Sequence, residues 1–424
     1  MENLTRKLLG LLKIDHVNKI NENIIELDQN GNAVTEKYLL HALRSSVKGN
    51  IDQSWLWIWR GAVESPSNPV YESLLAEFFK DVKTDKSKLN VLHGSIEIAN
   101  QMHAISRGLS LHNVNAKSIN YYPYYLGYTS DYTINLLKKR STPALNSVLR
   151  KLAVEFINRY DQFHFHFGTT LTFDYSDLAI LTAAKKPMIM HHWGSDVRMH
   201  SAALRTNPYA LVKDKNEDRI SKKLTTLSKS IKHCMIPDYE LYPYVKDYYE
   251  HVHIVPSMID LTAYPSDTCL PKNPLPLVVH APTSPSIKGT SYILQAIEKL
   301  KADYSFTFKL VKGLSHKEAK EIYKKADVII DQLHVGSYGL FSVEAMALGK
   351  PVVCWITDEM KSHYPKELPI LSANPDTIKD VLETILKNQD MLKDIGQKSR
   401  KYAETYHDAA LNSKLIKDIY TQQK

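Results

Sequence analysis

The residues with the clearest chemical purpose lie in the stretch Gly336-Ser337-Tyr338-Gly339-Leu340-Phe341-Ser342-Val343-Glu344-Ala345-Met346-Ala347-Leu348-Gly349-Lys350-Pro351-Val352-Val353. Gly339 frees the backbone ahead of a run of good helix formers, and Gly349 and Pro351 stop that run. The spacing predicts a loop, a helix of about two and a half turns over Leu340 to Leu348, and then a buried strand. A helix start presents unpaired N–H groups and the positive end of the helix dipole, so Gly339, Leu340 and Phe341 form an anion seat. Glu344 lies one turn further in, and its side chain leans back toward that seat. A carboxylate in that place suits sugar hydroxyls better than phosphate, so a diphosphate joined to a ribose fits the pair. A plain loop-to-helix connection carrying a surface Glu fits the stretch equally well, and the rest of the chain has to decide.

Other polar groups collect where short apolar runs end. Gln162-Phe163-His164-Phe165-His166-Phe167-Gly168 alternates as a strand with both His on one face. Pro187 to His191 is a second such run, and it ends in His192-Trp193-Gly194-Ser195-Asp196. Leu89 to Ser95 is a third, running into Gly94 and Ser95, which could approach an anion; the fingerprint G-x-G-x-x-G is missing, so a dinucleotide site is not supported. Strand ends are where open α/β sheets bind ligands. His164 and His166 are read either as core imidazoles with satisfied hydrogen bonds or as donors to sugar hydroxyls. No metal is expected, because the paired His lack a third ligand at a known spacing.

These positions need a scaffold, and the periodicity supplies one. A βα series starts at Leu89 and continues to residue 260. Residues 261–276, rich in Pro, read as a linker, and a second βα series runs over 277–400 with a capping box at Ser315-His316-Lys317-Glu318. A polar helix closes the chain over 401–424, returning toward the first series. Residues 1–88 read as an accessory α/β segment: a helix over 1–14, a hairpin over 23–34 with an Asn30-Gly31 turn, a helix near Thr35 to Arg44, and a strand at Ser54 to Trp59 that puts three Trp on alternate positions. The fold class expected is therefore α/β, with two Rossmann-like domains facing a cleft and an extra N-terminal α/β segment.

Composition narrows the function classes. With 424 residues, 43% hydrophobic and 24% charged, the chain has the make-up of a soluble globular protein of two or more domains. No apolar run approaches the roughly 18 residues of a membrane span, and no secretory signal is visible, so a cytoplasmic protein is expected. Three isolated Cys exclude a disulfide framework. The net charge of +8 is mild, and residues 89–260 hold 20 basic against 15 acidic groups. That balance suits solvated helix faces or contact with an anionic, membrane-proximal partner, and is too sparse for nucleic acid.

In order and spacing, His164-Phe165-His166, His192 to Asp196, Val255-Pro256-Ser257-Met258-Ile259-Asp260, Lys288-Gly289 and Gly336 to Val353 resemble the GT-B glycosyltransferases, within them the retaining family 4 (glycosyl transferases group 1) enzymes. The resemblance covers about residues 89–424. It implies a nucleotide-sugar donor in the second domain: Lys288 on the diphosphate, amides from Gly339, Leu340 and Phe341, and Glu344 on the ribose as the second Glu of an E-x7-E pattern. Ser284, Gly94, Gly336 and Tyr338 complete the expected donor site. His166 would sit near the donor sugar and, with Lys288, act in catalysis; His164, His192 and Asp196 would face the sugar or acceptor cleft. Two positions depart from the family: Gly336 stands where the first Glu belongs, and Ala281 to Ile287 holds no Arg.

The resemblance thus implies a metal-independent, cofactor-free hexosyltransferase. It would act with retention on an envelope glycan or a lipid-linked acceptor, at most peripherally bound to the membrane. A transferase acting on protein or nucleic acid, and a catalytically silent GT-B-like binding subunit, remain as alternatives.

Overall fold

The computed structural model describes residues 2–14, 34–65, 68–82, 84–123, 126–137, 139–265 and 273–423. Among these, eleven strands form two sheets. The first contains β1 (Leu89–Ser95), β2 (Val114–Asn120), β3 (Tyr132–Thr133), β4 (Gln162–His166), β5 (Met188–His191), β6 (His233–Ile236) and β7 (His251–Ile254). The second contains β8 (Leu277–His280), β9 (Thr307–Leu310), β10 (Val328–Ile330) and β11 (Val352–Val353). Strand order is 3-2-1-4-5-6-7 in the first and 11-10-8-9 in the second, with every pairing parallel. Parallel strands need crossovers that cover both faces, and β4, β5 and β10 are accordingly buried at every residue, although β4 alternates Phe with His. The result is a GT-B architecture of two Rossmann-like domains.

Each face of the first sheet has its own core. Phe163, Phe165, Met188, Met190 and Cys234 pack on one side with the helices Pro143–Ile157, Ser176–Ala183 and Glu217–Ser228. Val91, Ile189 and Met235 point to the other side, where Ile105 and Leu109 of helix Gln101–Ser110 meet Ile416, Ile419 and Tyr420 of the last helix, Ala409–Gln422. Gly108 makes that contact close: a Cβ there would stand 2.4 Å from the carbonyl oxygen of Ala409. The last helix thus leaves the second domain and covers the first sheet.

The helix after β1 starts at Gln101, later than the periodicity from Ile96 suggests. Ala99 and Asn100 have φ of 51° and 65°, and the Glu97 carboxylate accepts from the N–H of Met102 and of His103, closing the helix end.

The N-terminal segment corrects the reading of residues 1–88. Its described residues are helical: Glu2–Leu12, Val34–Val47, Ile51–Glu64 and Pro69–Asp81. The expected strand at Ser54 to Trp59 lies inside the third helix, started by the Asn50 side chain, which accepts from Gln53 N–H. Trp55 and Trp59 are also four apart, so they share a helix face, and both meet Phe78 edge-on at 5.2 and 5.5 Å. Trp57 points elsewhere and stacks on His41 at 4.5 Å. Alternation and helical spacing coincide at Trp55 and Trp59, and packing chose the helix. The hairpin read over 23–34, save Val34, and linker residues 266–272 lie outside the described residues. Among the described residues no helix is long and apolar enough to cross a membrane.

Candidate functional site

The carboxyl ends of both sheets open on one cavity of about 380 Å³ between the domains. Phe167, Trp193 and Asp238 reach it from the first domain, and Ser284, Lys288 and Glu344 from the second. Of the residues singled out in the sequence, Ser284, Lys288, Tyr338, Gly339, Leu340, Phe341 and Glu344 all line this cavity. Helix Leu340–Ala347 points its N-terminus into it, as the glycine and the apolar run dictate.

An internal carboxylate occupies the expected anion seat. Asp331, directly after β10 and fully buried, receives Lys288 Nζ on Oδ1 at 2.5 Å. Its Oδ2 receives Gly339 N–H at 3.1 Å and the Ser342 hydroxyl at 2.7 Å. Burial alone would raise the pKa of Asp331; the Lys288 charge and these hydrogen bonds outweigh it and hold the carboxyl below its ordinary value. Gln332 accepts a second bond from Lys288 at 2.9 Å. Leu340 and Phe341 head the helix, so their N–H groups have no intrahelical acceptor.

Glu344 is held in place from two sides. Tyr264 O–H donates to its Oε1 at 2.7 Å, and His316 Nε2 meets the same oxygen at 2.5 Å. Tyr264 follows the first domain and His316 starts a capped helix of the second, so the carboxylate is fixed before any ligand arrives. The Tyr338 hydroxyl turns to His407 Nε2 at 3.1 Å, in the crossing to the last helix.

Two glycines are structural. Gly336 has φ of +84°, and a Cβ there would stand 2.6 Å from the Thr357 methyl, so the position where the resemblance places a Glu has no room for a side chain. Gly94 lies in β1, with Ile119 Cγ2 2.7 Å from where its Cβ would be. Neither is among the residues lining the cavity.

The histidines are placed behind the cavity wall. His164 and His166 stack on one face of β4 at 4.5 Å, both fully buried, and neither lines the cavity. His166 meets His93 at 3.0 Å and receives Trp193 Nε1–H at 3.2 Å. Ring nitrogens of His93, His164 and His166 lie within 4.8 Å of one another, a spacing that a metal ion could use. His192 and Asp196 build the turn that presents Trp193: Asp196 Oδ1 accepts Trp193 N–H and Gly194 N–H at 3.0 Å each, and its Oδ2 meets His192 Nδ1 at 2.7 Å. His192 Nε2 meets the Tyr249 hydroxyl at 2.8 Å, which leaves both ring nitrogens engaged in the core.

Several lining groups carried no signal in the sequence. Lys213 lies in a loop of the first domain; partial loss of solvent, then the charges of Lys288 and Arg198, lower its pKa. Lys312 follows β9 on the opposite wall. Unlike Lys288, and unlike Arg198 with Glu240 at 2.6 Å, neither is in an ion pair among the described residues. Asp238 accepts from Tyr364 O–H of the other domain at 2.7 Å, and burial followed by the Glu240 charge pushes its carboxyl up to about 7. Only contact across the cleft, invisible in local spacing, distinguishes these residues from surface charge.

Residues 295–402 match the family described as Glycosyl transferases group 1. No curated protein matches the sequence. Among solved structures, the chain is similar to sucrose-phosphate synthase from Thermosynechococcus elongatus, at a TM-score of 0.55 and 13% identity over 79% of this chain and 99% of that one. It is similar to Anabaena Alr3699/HepE in complex with UDP-glucose, at 0.55 and 11% over 78% and 99%. WaaG, a glycosyltransferase involved in lipopolysaccharide biosynthesis, aligns at 0.52 and 12% over 78% and 99%. At these identities the likeness is one of fold, and the fold is GT-B.

Proposed function

We propose that the protein is a retaining glycosyltransferase. It moves a hexose from a nucleotide diphosphate sugar to a glycan or lipid-linked acceptor of the cell envelope, without a metal or other cofactor. The observation that carries this reading is the convergence of Lys288, the N-terminus of helix Leu340–Ala347 and the pre-set Glu344 carboxylate on one interdomain cavity. The diphosphate lies over the Leu340 and Phe341 amides, and Glu344 binds the ribose hydroxyls. Lys288, released in part from Asp331, offsets charge on the diphosphate as the glycosyl bond breaks. Lys213 and Lys312 add positive potential from opposite walls, in the absence of an Arg between Ala281 and Ile287. The UDP-glucose bound by the Anabaena structure makes UDP the first nucleotide to try. The acceptor meets the basic first domain, at the inner face of the membrane and in the cytoplasm.

Thermal stabilisation by UDP, GDP and their glucose and mannose conjugates, followed by turnover with any binder, tests the proposal. Stabilisation with transfer or slow hydrolysis of the sugar supports it. A second reading, a silent GT-B-like binding subunit, is favoured by Asp331 already occupying Lys288 and Gly339, and by the missing side chain at Gly336. No binding and no turnover with every donor would leave that second reading standing.

A further inference from the structure

Behind Trp193, four imidazoles and a phenol form a connected path whose direction can be worked out. Trp193 Nε1–H donates to His166 Nδ1 at 3.2 Å. An indole nitrogen only donates, so Nδ1 of His166 accepts, and the proton of a neutral ring sits on Nε2. That Nε2 faces His93 Nδ1 at 3.0 Å, which places the His93 proton on its own Nε2, 3.5 Å from the Tyr420 hydroxyl. Tyr420 meets His164 Nδ1 at 2.7 Å, and His164 Nε2 meets His191 Nδ1 at 3.2 Å. If Tyr420 donates to His164, the chain runs on to His191 and ends at Nε2 of that ring, a buried nitrogen with no partner among the described residues. Were the last links reversed, the Tyr420 proton would also be stranded, so the forward direction leaves fewer buried groups unpaired. Burial, the first cause in each case, lowers the pKa of all four rings, that of His93 to about 3, so neutral rings are the ones to consider.

We propose that Tyr420, on the last helix, is a positioning residue for Trp193 in the cavity wall. It acts through the one-way chain Trp193 to His166 to His93 to Tyr420 to His164 to His191, in which all four imidazoles carry their proton on Nε2. The path returns on itself, since His191 stacks under Trp193 at 3.9 Å. Trp193 is thereby held by an edge bond and by a stacked face, both ordered from a helix rooted in the second domain. At that root His407 Nδ1 meets the Ser257 carbonyl at 2.8 Å, and Ile259 N–H donates to the His407 carbonyl at 2.8 Å. The effect on ligand affinity rests on the proposed donor site, whereas the protonation pattern does not.

The test is long-range proton–nitrogen NMR of protein labelled at histidine nitrogens, assigned with single His→Gln variants and recorded without nucleotide. Four neutral Nε2–H rings are expected for His93, His164, His166 and His191. An Nδ1–H or cationic ring among them, or stoichiometric zinc in the purified protein, overturns the chain. Tyr420→Phe removes the donor to His164 Nδ1 and the acceptor of His93 Nε2–H, so it should shift the ring-nitrogen resonances of both, shift the Trp193 indole N–H resonance, and weaken UDP binding about three- to tenfold. An unmoved indole resonance in a folded Tyr420→Phe protein overturns the positioning role. Should that variant not fold, Trp193→Phe keeps the stacked ring but removes the donor, and should release His166 to Nδ1–H; an unchanged His166 overturns the directional chain. If wild-type protein binds no UDP while the four Nε2–H rings are seen, the donor reading fails and the chain stands.

Discussion

Glu344→Gln isolates the proposed ribose contact, because Gln retains an oxygen for both Tyr264 and His316. Donor affinity should fall by about 1–3 kcal/mol, read by titration calorimetry, with the melting temperature of the free protein nearly unchanged. Asp331→Asn separates fold from function in another way. Lys288, whose side chain is only 16% exposed, loses its carboxylate, which should destabilise the free protein by about 3 kcal/mol. The amide keeps its oxygen for Gly339 N–H and turns its NH2 toward Lys288, which frees that ammonium for phosphate, so UDP should bind more tightly, by about 1 kcal/mol. Weaker UDP binding in that variant would mean that Asp331 helps to build the seat rather than fill it. Asp238 adds a pH dependence. Its carboxyl is raised to about 7 against 3.8 for an ordinary Asp, so between these values the folded chain holds a proton that the unfolded chain has released. The stability this confers is complete below about pH 4 and is lost as pH rises to about 7. Asp238→Asn should therefore gain on the wild type in melting temperature as pH rises across that window, and a constant difference would contradict the assignment.

At the scale of elements, short-range signals were readable. The capping box at Ser315 and Glu318 is present, with Ser315 Oγ receiving Glu318 N–H, and the helix after Gly339 starts where the glycine and apolar run put it. Both depend on residues within one turn of each other. The three Trp of residues 55–59 read as a strand because a two-residue and a four-residue period both pass through Trp55 and Trp59, and packing on Phe78 and Phe79 selects the helix. Gly336 illustrates the converse. Its absence of side chain looked like a lost ligand, whereas φ of +84° and the Thr357 methyl make glycine a requirement of the loop. Gly336→Ala should cost about 1–2 kcal/mol in urea unfolding from the backbone alone, and Gly336→Glu more, with no gain in donor binding. A stable, tighter-binding Glu variant would show that the loop can reopen.

For the whole molecule, the decisive element is the last helix, Ala409–Gln422, which closes the first domain's core from a root in the second. Gly108→Ala would press a methyl group 2.4 Å from the Ala409 carbonyl and 2.7 Å from Ser413 Oγ. It should lower stability by about 1–3 kcal/mol in denaturant unfolding, and should disturb the resonance of Trp193, which packs against the same buried cluster; a silent substitution would deny the docking. From the sequence alone came the α/β class, two parallel series of strands, and a helix N-terminus backed by a carboxylate, because each is set by periodicity or by neighbours along the chain. Tertiary structure alone decided that Asp331 sits beside Lys288 at the start of helix Leu340–Ala347, that Lys213 and Lys312 line one cavity from different domains, and that His164 and His166 serve a buried path to Tyr420. Those contacts join residues far apart in the chain, and their energies depend on burial and direction, which no local pattern encodes.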